Sequence, residues 1–371
     1  MKTKTKTKVN ERLFSLDTLR GFDMLWIIGG GAVIHALARA TEWGWAEAWS
    51  HQLHHASWEG FHLEDLIFPL FMFISGVAIP YALTSRLEKG IKQSELVRKV
   101  FKRMLILVVF GIIYNGALKN GFKDARFASV LAQIGIAYFF AALIVIYNKT
   151  LKFRLLWLFG ILAVIAAVQL LINVPGYGTG VLTSTGSVNA WIDQHFLPGR
   201  LYGKTYDPEG LLCIVSATSV TLMGTFAGNI LRNATLSQNK KAGYLLAAGL
   251  LLTLVALSLS PFYPIIKKIW TVPFNILAAG LSFLHLSVFY YIIDVKKWRK
   301  WIFFFQVIGL NSITIYMGSR IIGFESISEF FLGWIAKPAE LYGAVIIALG
   351  AIALEWYLLF YLYKNKIFLR V

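Results

Sequence analysis

Charged residues are scarce in this sequence. They make up 15% of the 371 residues, whereas soluble domains average about 25%. Hydrophobic residues reach 57%, against about 45–50% in soluble domains. A soluble core cannot accommodate this surplus of apolar surface, but the hydrocarbon interior of a bilayer can. The scarcity of charge therefore excludes a soluble protein of two or three domains and indicates an integral membrane protein.

Cysteine is almost absent, since Cys213 is the single one in the chain. One cysteine excludes a disulfide framework within the chain, and we interpret it as a small buried apolar side chain. The CxxC and HExxH spacings of zinc sites are also missing. There is no P-loop and no GxGxxG after a strand, so the sequence predicts no nucleotide-binding fold.

Long apolar runs take the place of charged segments. A transmembrane helix needs about 20 mainly apolar residues, and ten runs satisfy this requirement. They cover residues 22–40, 63–84, 103–120, 128–147, 153–173, 210–231, 242–260, 271–293, 301–321 and 341–363. A weaker and shorter candidate, 322–340, is interpreted as a re-entrant or surface helix. Transmembrane barrels show alternating ten-residue patterns instead, so the sequence predicts an all-α polytopic bundle of about ten transmembrane helices.

Acidic residues are outnumbered, with 19 Asp and Glu against 36 Lys and Arg and a net charge of +17. If the N-terminus is inside, the inside segments hold 26 of the basic residues and the outside segments 10, as the positive-inside rule requires. Both termini are therefore predicted in the cytoplasm, with 1–12 as a basic tail and 13–371 as one transmembrane domain. The basic loops are expected to contact lipid headgroups, so the charge does not indicate nucleic acid as a partner.

Histidine is rare, yet one predicted outside loop, 41–62, holds four of the seven. They are His51, His54, His55 and His62, and they lie among Trp43, Trp45, Trp49 and Trp58. Glu59, Glu64 and Asp65 follow closely, and a helix over 55–65 would place His55 and Asp65 on one face. Three interpretations stay open: an aromatic belt at the membrane interface, a metal site, and a general base oriented by a carboxylate.

A second long outside loop, 174–209, ends in Asp207-Pro208-Glu209-Gly210. Capping of the next helix explains Asp207 well, because Pro208 suits the first helical position. It explains Glu209 and Asp65 less completely. Acids on this side are also suited to binding a cationic or hydroxyl-rich substrate.

Other candidate residues lie at membrane depth and on the predicted inside face. Asn311 and Ser312 follow Gly309 in the ninth run, where a close approach of backbone or ligand is expected. The inside basic residues are consistent with topology alone, but they also suit the phosphates of a nucleotide cofactor. The candidates for this role are Arg20, Arg98, Lys99, Lys102 and Arg103.

Five segments, taken together and in order, resemble one family. They are Ser15–Gly21 (SLDTLRG), the central signature of His55–Gly60 (HASWEG), Asp65–Pro69 (DLIFP) and Phe73–Gly76 (FISG), then Gln133–Tyr138 (QIGIAY), Asp207–Gly210 (DPEG) and Gly309–Ser312 (GLNS). The sequence resembles the heparan-alpha-glucosaminide N-acetyltransferase family and its bacterial relatives over residues 12–320. Any one motif is weak, whereas the ordered set is fairly specific.

The resemblance implies an enzyme that takes acetyl-CoA from the cytoplasm and delivers acetyl to the amine of a terminal glucosamine across the membrane. It implies that His55, Asp207 and Glu209 are catalytic. From it we expect Trp58, Glu59, Asp65, Asn311 and Ser312 near the substrate. Arg20, Arg98, Lys102 and Arg103 are expected to bind acetyl-CoA, the co-substrate, with no metal required.

The sequence departs from the lysosomal members in three places. Ile27-Ile28 stand before Gly29-Gly30-Gly31 where those members have Asn, and Trp58-Glu59-Gly60 replaces Trp-Asn-Gly. Their large N-terminal luminal region is absent, which predicts a minimal bacterial form in the inner (cytoplasmic) membrane. An amino-sugar transporter without chemistry and an O-acyltransferase of cell-envelope polysaccharide remain alternatives. The assembly is left open between a monomer and a homodimer.

Overall fold

The computed structural model describes residues 13–122 and 125–369, of which most are helical. The predicted basic tail of residues 1–12 lies outside these ranges. The helices follow one another as α1 Phe14–Leu25, α2 Gly31–Ala40, α3 Gly44–Gln52, α4 Glu64–Ile79, α5 Ser85–Glu88, α6 Gln93–Tyr114, α7 Ala117–Asn120, α8 Val130–Tyr147, α9 Leu151–Leu171, α10 Val188–Phe196, α11 Leu211–Arg232, α12 Gln238–Leu259, α13 Val272–Tyr290, α14 Ile302–Leu310, α15 Ser312–Ile321, α16 Phe324–Ala336 and α17 Gly343–Lys364.

The remaining regular structure is short. Three wide helical turns, Trp26–Gly30, Pro80–Thr84 and Tyr291–Val295, continue α1, α4 and α13, and tight turns occur at Lys267–Ile269 and Glu340–Tyr342. The strands β1 (Asn173–Val174) and β2 (Gly178–Thr179) pair antiparallel in the long second loop. The first wide turn contains Gly29, whose φ of +152° is open to glycine but strained for other residues. It joins α1 to α2 as one kinked span.

Eight segments of the described chain are long and apolar enough to cross a membrane, and a ninth is present if two helices bent by 73° count as one span. The eight are Phe14–Ala40, Glu64–Glu88, Val130–Tyr147, Leu151–Leu171, Leu211–Arg232, Gln238–Leu259, Val272–Val295 and Glu340–Lys364, and the bent pair is α14 with α15. The predicted all-α membrane bundle is confirmed. The count of ten and the sides of the termini stay predictions.

The run 103–120 and the bent pair over 301–321 explain the difference in count, and the weaker candidate 322–340 adds no span. The run 103–120 belongs to α6, which has 22 residues but carries Arg98, Lys99, Lys102 and Arg103 in its first half, so its apolar stretch is shorter than a full span. The weaker candidate 322–340 forms α16, whose 13 residues rise only about 20 Å at 1.5 Å each. This helix packs along α17 and exposes Phe330, Phe331 and Trp334.

The helices form an inner and an outer set. In α4, α8, α11 and α13 most of the spanning window is buried by protein, whereas α9, α12 and α17 bury about a fifth of theirs. Two glycines allow α4 and α11 to pack closely. A Cβ on Gly76 would lie 2.0 Å from the Thr221 carbonyl oxygen, and one on Gly224 would lie 2.2 Å from that of Phe73. Small residues at such contacts are typical of membrane helix pairs.

Three loops meet at one end of the bundle, here called the loop end: residues 41–63, 172–210 and 260–271. The Gly60 amide donates to the Ile265 carbonyl at 2.9 Å, and the Trp58 indole donates to the Leu182 carbonyl at 2.8 Å. Residues 85–93, 148–150, 233–237 and 296–301 lie at the opposite end, here called the basic end. An ion pair between Glu88 and Arg232 joins the first of these segments to the end of α11.

Candidate active site

The carboxylate of Asp65 organises the first loop. It lies in the first turn of α4, and its side chain is 1% exposed. One oxygen, Oδ2, accepts the backbone amides of Ala56 at 3.2 Å and His62 at 3.1 Å, while Oδ1 lies 2.9 Å from Nδ1 of His55. Residues 53–63 are not helical. The predicted helix over 55–65 is therefore wrong, and a shared helix face does not bring His55 and Asp65 together. The loop folds back over the start of α4 instead.

Lys267 completes this cluster from a distant part of the chain. Its Nζ lies 3.3 Å from Asp65 Oδ1 and 3.2 Å from His55 Nδ1. The tight turn Lys267–Ile269 positions it, and its side chain is 14% exposed. Burial lowers the pKa of Lys267, and the neighbouring Asp65 carboxylate opposes that shift only in part. The sequence indicates no role for Lys267 beyond topology, because no motif includes it.

The hydrogen bond to Asp65 determines which nitrogen of His55 is free. A carboxylate only accepts, so the 2.9 Å bond places the proton on Nδ1. A neutral ring then holds a lone pair on Nε2. Half of the His55 side chain is exposed, so this lone pair is open to a substrate. An imidazole oriented by a buried carboxylate is the arrangement of a general base.

A second charged cluster contains the acids of the DPEG motif. Arg126 donates from Nε to Asp207 Oδ2 at 2.8 Å and from Nη2 to Asp207 Oδ1 at 2.5 Å, and it also pairs with Glu209. Asp207 is fully buried and accepts the amides of Tyr202 and Glu209 as well, each at 3.0 Å. The Asp207 carboxylate is therefore fully engaged by protein groups, which fits a positioning role better than direct catalysis.

Burial and ion pairing act against each other in this cluster. Burial favours a lower pKa for Arg126, but the bonds and charges of Asp207 and Glu209 raise it overall. Burial raises the pKa of Glu209, and the positive charge of Arg126 offsets only part of that effect. A bidentate arginine–carboxylate pair of this kind fixes geometry as well as charge.

Asp193 belongs to none of the sequence motifs, but its side chain fixes the backbone of the DPEG motif through hydrogen bonds. Its carboxylate accepts the amides of Asp207 at 3.1 Å and Leu211 at 3.0 Å. A Cβ on Gly210 would lie 2.2 Å from this carboxylate, which explains why glycine follows Glu209. Burial raises the pKa of Asp193 to about 7. No local signal marks Asp193, because it lies on α10, apart from the motif in sequence.

Several contacts join the two clusters. The buried thiol of Cys213 lies 3.7 Å from the Asp207 carbonyl oxygen and 3.8 Å from that of Lys268. The charges of Lys267 and Glu209 are close enough to interact. The ring of Trp58 contacts that of Tyr206 edge-on at 5.0 Å. The structure thus brings His55, Trp58, Asp65, Asp207 and Glu209 together at the loop end.

Other predicted substrate residues are placed differently. Glu59 is exposed on the same loop. Asn311 lies at the bend between α14 and α15, where its amide donates to the Ile367 carbonyl at 3.1 Å and accepts the Leu369 amide at 3.3 Å. Ser312, beside it, is buried. These side-chain hydrogen bonds tie Asn311 to the C-terminal segment, and its role near the substrate stays a prediction.

The motif around Gly309 has a packing explanation. A Cβ on Gly309 would lie 2.2 Å from the Asp17 carbonyl oxygen, and a Cβ on Gly21 would lie 1.8 Å from that of Phe305. The first and last family motifs therefore pack against each other through glycines. Close packing of α1 against α14 therefore explains the glycine at position 309.

The predicted acetyl-CoA residues lie toward the basic end but on separate helix pairs. Arg20 on α1 lies 3.5 Å from Asp17, and α1 packs mainly against α13 and α14. Arg98 and Lys102 are exposed on α6, which packs mainly against α8. The Arg103 guanidinium stacks on the Tyr138 ring at 4.1 Å. No single phosphate pocket formed by all four is seen in the described part of the chain.

Three of the four histidines of the first loop contact another imidazole ring, and one of those contacts is to His35 on α2. The rings of His35 and His54 stack at 4.3 Å, and those of His51 and His62 lie 4.6 Å apart. Within residues 13–122 and 125–369, no group of three or more His, Cys, Asp or Glu side chains is arranged to hold a metal ion. That no metal is needed stays a prediction.

Comparison with known proteins identifies the family. The model of the heparan-alpha-glucosaminide N-acetyltransferase catalytic region matches residues 12–242. The human heparan-alpha-glucosaminide N-acetyltransferase is 27% identical over 418 aligned positions, which cover 97% of this chain and 60% of the human protein. The mouse protein of the same name is 26% identical over 99% of this chain and 62% of its own length.

This chain therefore spans about three fifths of the length of the curated relatives it matches. The match includes the SLDTLRG, HASWEG and DPEG motifs. Residues of these motifs take part in the contact between α1 and α14 and in both charged clusters described above. The resemblance seen in the motifs is confirmed, and the chain belongs to the heparan-alpha-glucosaminide N-acetyltransferase catalytic family.

Proposed function

We propose that this protein is a membrane-embedded N-acetyltransferase that transfers acetyl from acetyl-CoA to the amine of glucosamine or of a terminal glucosamine residue. The observation that carries the proposal is the His55–Asp65–Lys267 cluster, an imidazole oriented by a buried carboxylate. Family membership supports acetyl transfer as the reaction class. The amine acceptor follows from the relatives' names.

The chemistry requires one proton acceptor and one leaving thiolate. The amine nitrogen attacks the thioester carbonyl carbon, and Nε2 of His55 takes the proton that the nitrogen loses. The new C–N bond forms as the C–S bond breaks, and the imidazolium returns its proton to the leaving sulfur. The products are the N-acetylated sugar and free CoA. A relay with acetyl first held on His55 is the alternative order of the same bond changes.

Lys267 has a role that follows from its position in this scheme. Its Nζ lies 3.3 Å from Asp65 Oδ1 and 3.2 Å from His55 Nδ1, so it contacts both members of the imidazole–carboxylate pair. We infer that Lys267 is a positioning residue that holds the Asp65 carboxylate where it orients the His55 ring.

The DPEG acids receive different roles in the proposal. Asp207 positions the loop through Arg126, because its carboxylate is buried and fully bonded. Glu209 interacts electrostatically with Lys267. Its negative charge therefore contributes to the electrostatic potential at the His55–Asp65–Lys267 cluster. The half-buried ring of Trp58, which packs on the buried Tyr206, offers an aromatic surface that a sugar ring can contact.

In this proposal the donor binds at the opposite end of the bundle. Arg98 and Lys102 are exposed there, and their charges suit the phosphates of CoA, as does the planar fork of Arg20. The loop end would face the periplasm of a bacterial inner membrane and the basic end the cytoplasm. The thioester would then reach the loop end between the helices.

The test is a turnover assay with purified full-length protein, radiolabelled acetyl-CoA and a choice of acceptors. We expect labelled N-acetylglucosamine from glucosamine and no product from N-acetylglucosamine as acceptor. Labelling of fully N-acetylated glycans would instead indicate O-acyl transfer. Uptake of glucosamine into vesicles without acetyl-CoA, and no labelled product, would indicate a transporter.

A further inference from the structure

A half-open cavity lies beneath the first loop. Its volume is about 100 Å³, and residues of the first span, α3, α4 and α13 line it. Two of the lining side chains, Trp49 and Leu63, are exposed at its mouth. The lining residues that matter here are Phe22, Asp23, Trp26, Trp49, Leu63 and His285. Leu63 immediately precedes Glu64 and Asp65, so the cavity adjoins the start of α4 that holds His55.

Asp23 is the unusual member of this lining. Its side chain is 1% exposed, and its Oδ2 has no hydrogen-bond partner among the described residues. Leaving a carboxylate oxygen unpaired at this depth is unfavourable.

His285 adds a second acceptor. Its Nδ1 lies 2.8 Å from the Leu281 carbonyl oxygen, and a carbonyl only accepts, so Nδ1 carries the proton of the neutral ring. The lone pair is then on Nε2. The Asp23 carboxylate and Nε2 of His285 are thus hydrogen-bond acceptors, whereas the indole N–H groups of Trp26 and Trp49 are donors. A ligand that pairs with both acceptors must bring donors.

The remaining walls are formed by three aromatic and five aliphatic side chains. The rings of Trp26 and Trp49 are nearly parallel, with centroids 6.4 Å apart and an interplanar angle of 9°, and Phe22 meets Trp26 edge-on at 5.9 Å. Aromatic faces attract organic cations, most strongly where water is excluded. A carboxylate beside tryptophan rings is a suitable environment for an ammonium group.

We propose that this cavity binds the ammonium end of the amine acceptor, with Asp23 as its counter-ion and Trp26 and Trp49 as its walls. A dry engineered cavity of about 150 Å³ accommodates benzene, so the space here admits the amine-bearing end of a larger molecule. The identity of that molecule as an amino sugar rests on the proposed function. The cavity would hold the acceptor beside the His55 cluster before the proton is removed.

Equilibrium binding without acetyl-CoA tests this proposal separately from turnover. Radiolabelled glucosamine is dialysed against purified full-length wild type, Asp23→Asn and Glu355→Gln. Glu355 is the matched control, because it is also a buried carboxyl on a spanning helix with an oxygen that has no partner in the described ranges, yet it does not line the cavity. Unlabelled ethylammonium chloride, N-acetylglucosamine and sodium chloride serve as competitors.

We expect Asp23→Asn to weaken glucosamine binding about tenfold or more, since a bond to a charged group is lost, and Glu355→Gln to leave it unchanged. Ethylammonium should compete, while N-acetylglucosamine and sodium should not. Equal binding by Asp23→Asn, or equal competition by N-acetylglucosamine or sodium, would overturn the proposal. Asp23-dependent binding by a protein that does not transfer acetyl would retain the cavity assignment and reject the proposed function.

Discussion

At the residue scale, the catalytic proposal depends on one buried carboxylate. The Asp65 carboxylate fixes the first loop by accepting hydrogen bonds from two backbone amides. It orients His55 through a hydrogen bond to Nδ1. The sequence indicated both residues, because the central signature contains them ten positions apart. It did not indicate Lys267 or Arg126, because each reaches its partner from far along the chain and belongs to no motif.

Asp65→Asn tests the orientation of the imidazole. The amide offers a donor where the carboxylate accepts, so it favours the wrong tautomer of His55. In serine proteases the equivalent change lowers kcat by about 10⁴, and we expect a loss of about 10²–10⁴ here. Initial rates with both substrates saturating measure it. The control Glu47→Gln changes an exposed acid at the same end, and an equal loss there would contradict the assignment.

Lys267→Met tests whether Lys267 positions Asp65 and His55. Loss of the ion pair with the buried carboxylate leaves the imidazole less well oriented, so we expect kcat to fall about tenfold or more while KM for acetyl-CoA stays unchanged. Initial rates over a range of both substrates measure the two constants. Lys267→Arg should restore part of kcat, because it keeps the charge. A folded Lys267→Met protein with the wild-type kcat would refute this role.

At the element scale, glycines determine which helices pack most closely. The apolar runs predicted most spanning helices, because period and length are local properties. They did not predict the wide turns at Trp26–Gly30, Pro80–Thr84 and Tyr291–Val295, which depend on neighbouring helices. The sequence suggested a ligand or a close backbone approach at Gly309, and the structure shows a helix contact between Gly309 and the Asp17 backbone.

Gly21→Ala tests this contact between α1 and α14. The added methyl would meet the Phe305 carbonyl oxygen, and overpacking of this kind costs about 1–3 kcal/mol. We expect a lower midpoint of thermal aggregation in detergent. Gly160→Ala is the matched control, since Gly160 lies in α9 and an added Cβ there would have no neighbouring atom within 4 Å. Equal midpoints for the two variants would argue against close packing at Gly21.

At the scale of the whole molecule, the two ends of the bundle differ in chemistry. The loop end carries the His55 and Arg126 clusters, and the exposed Arg98 and Lys102 lie toward the basic end. Charge counting predicted this separation from the sequence, because basic residues are sorted by membrane side. It did not predict the site's construction from three loops, which requires contacts between residues as distant as Gly60 and Ile265.

Thiol labelling from each side of the membrane tests which end faces the cytoplasm. Cys213 is the single native cysteine and is buried, so background labelling is low. We expect Glu47→Cys at the loop end to react with a membrane-impermeant maleimide in spheroplasts. Ser237→Cys at the basic end should react only after the cells are opened. The reverse pattern would invert the proposed topology.

The most direct test of the central claim is acetyl transfer to glucosamine by His55→Ala, compared with wild type and His195→Ala in single turnover with labelled acetyl-CoA. His195 is a loop-end histidine whose Nδ1 donates to the Trp191 carbonyl, so it controls for loss of an imidazole. We predict that His55→Ala is slower by about 10²–10⁴ while His195→Ala matches wild type. A folded His55→Ala protein that transfers acetyl at the wild-type rate would contradict the catalytic role of His55.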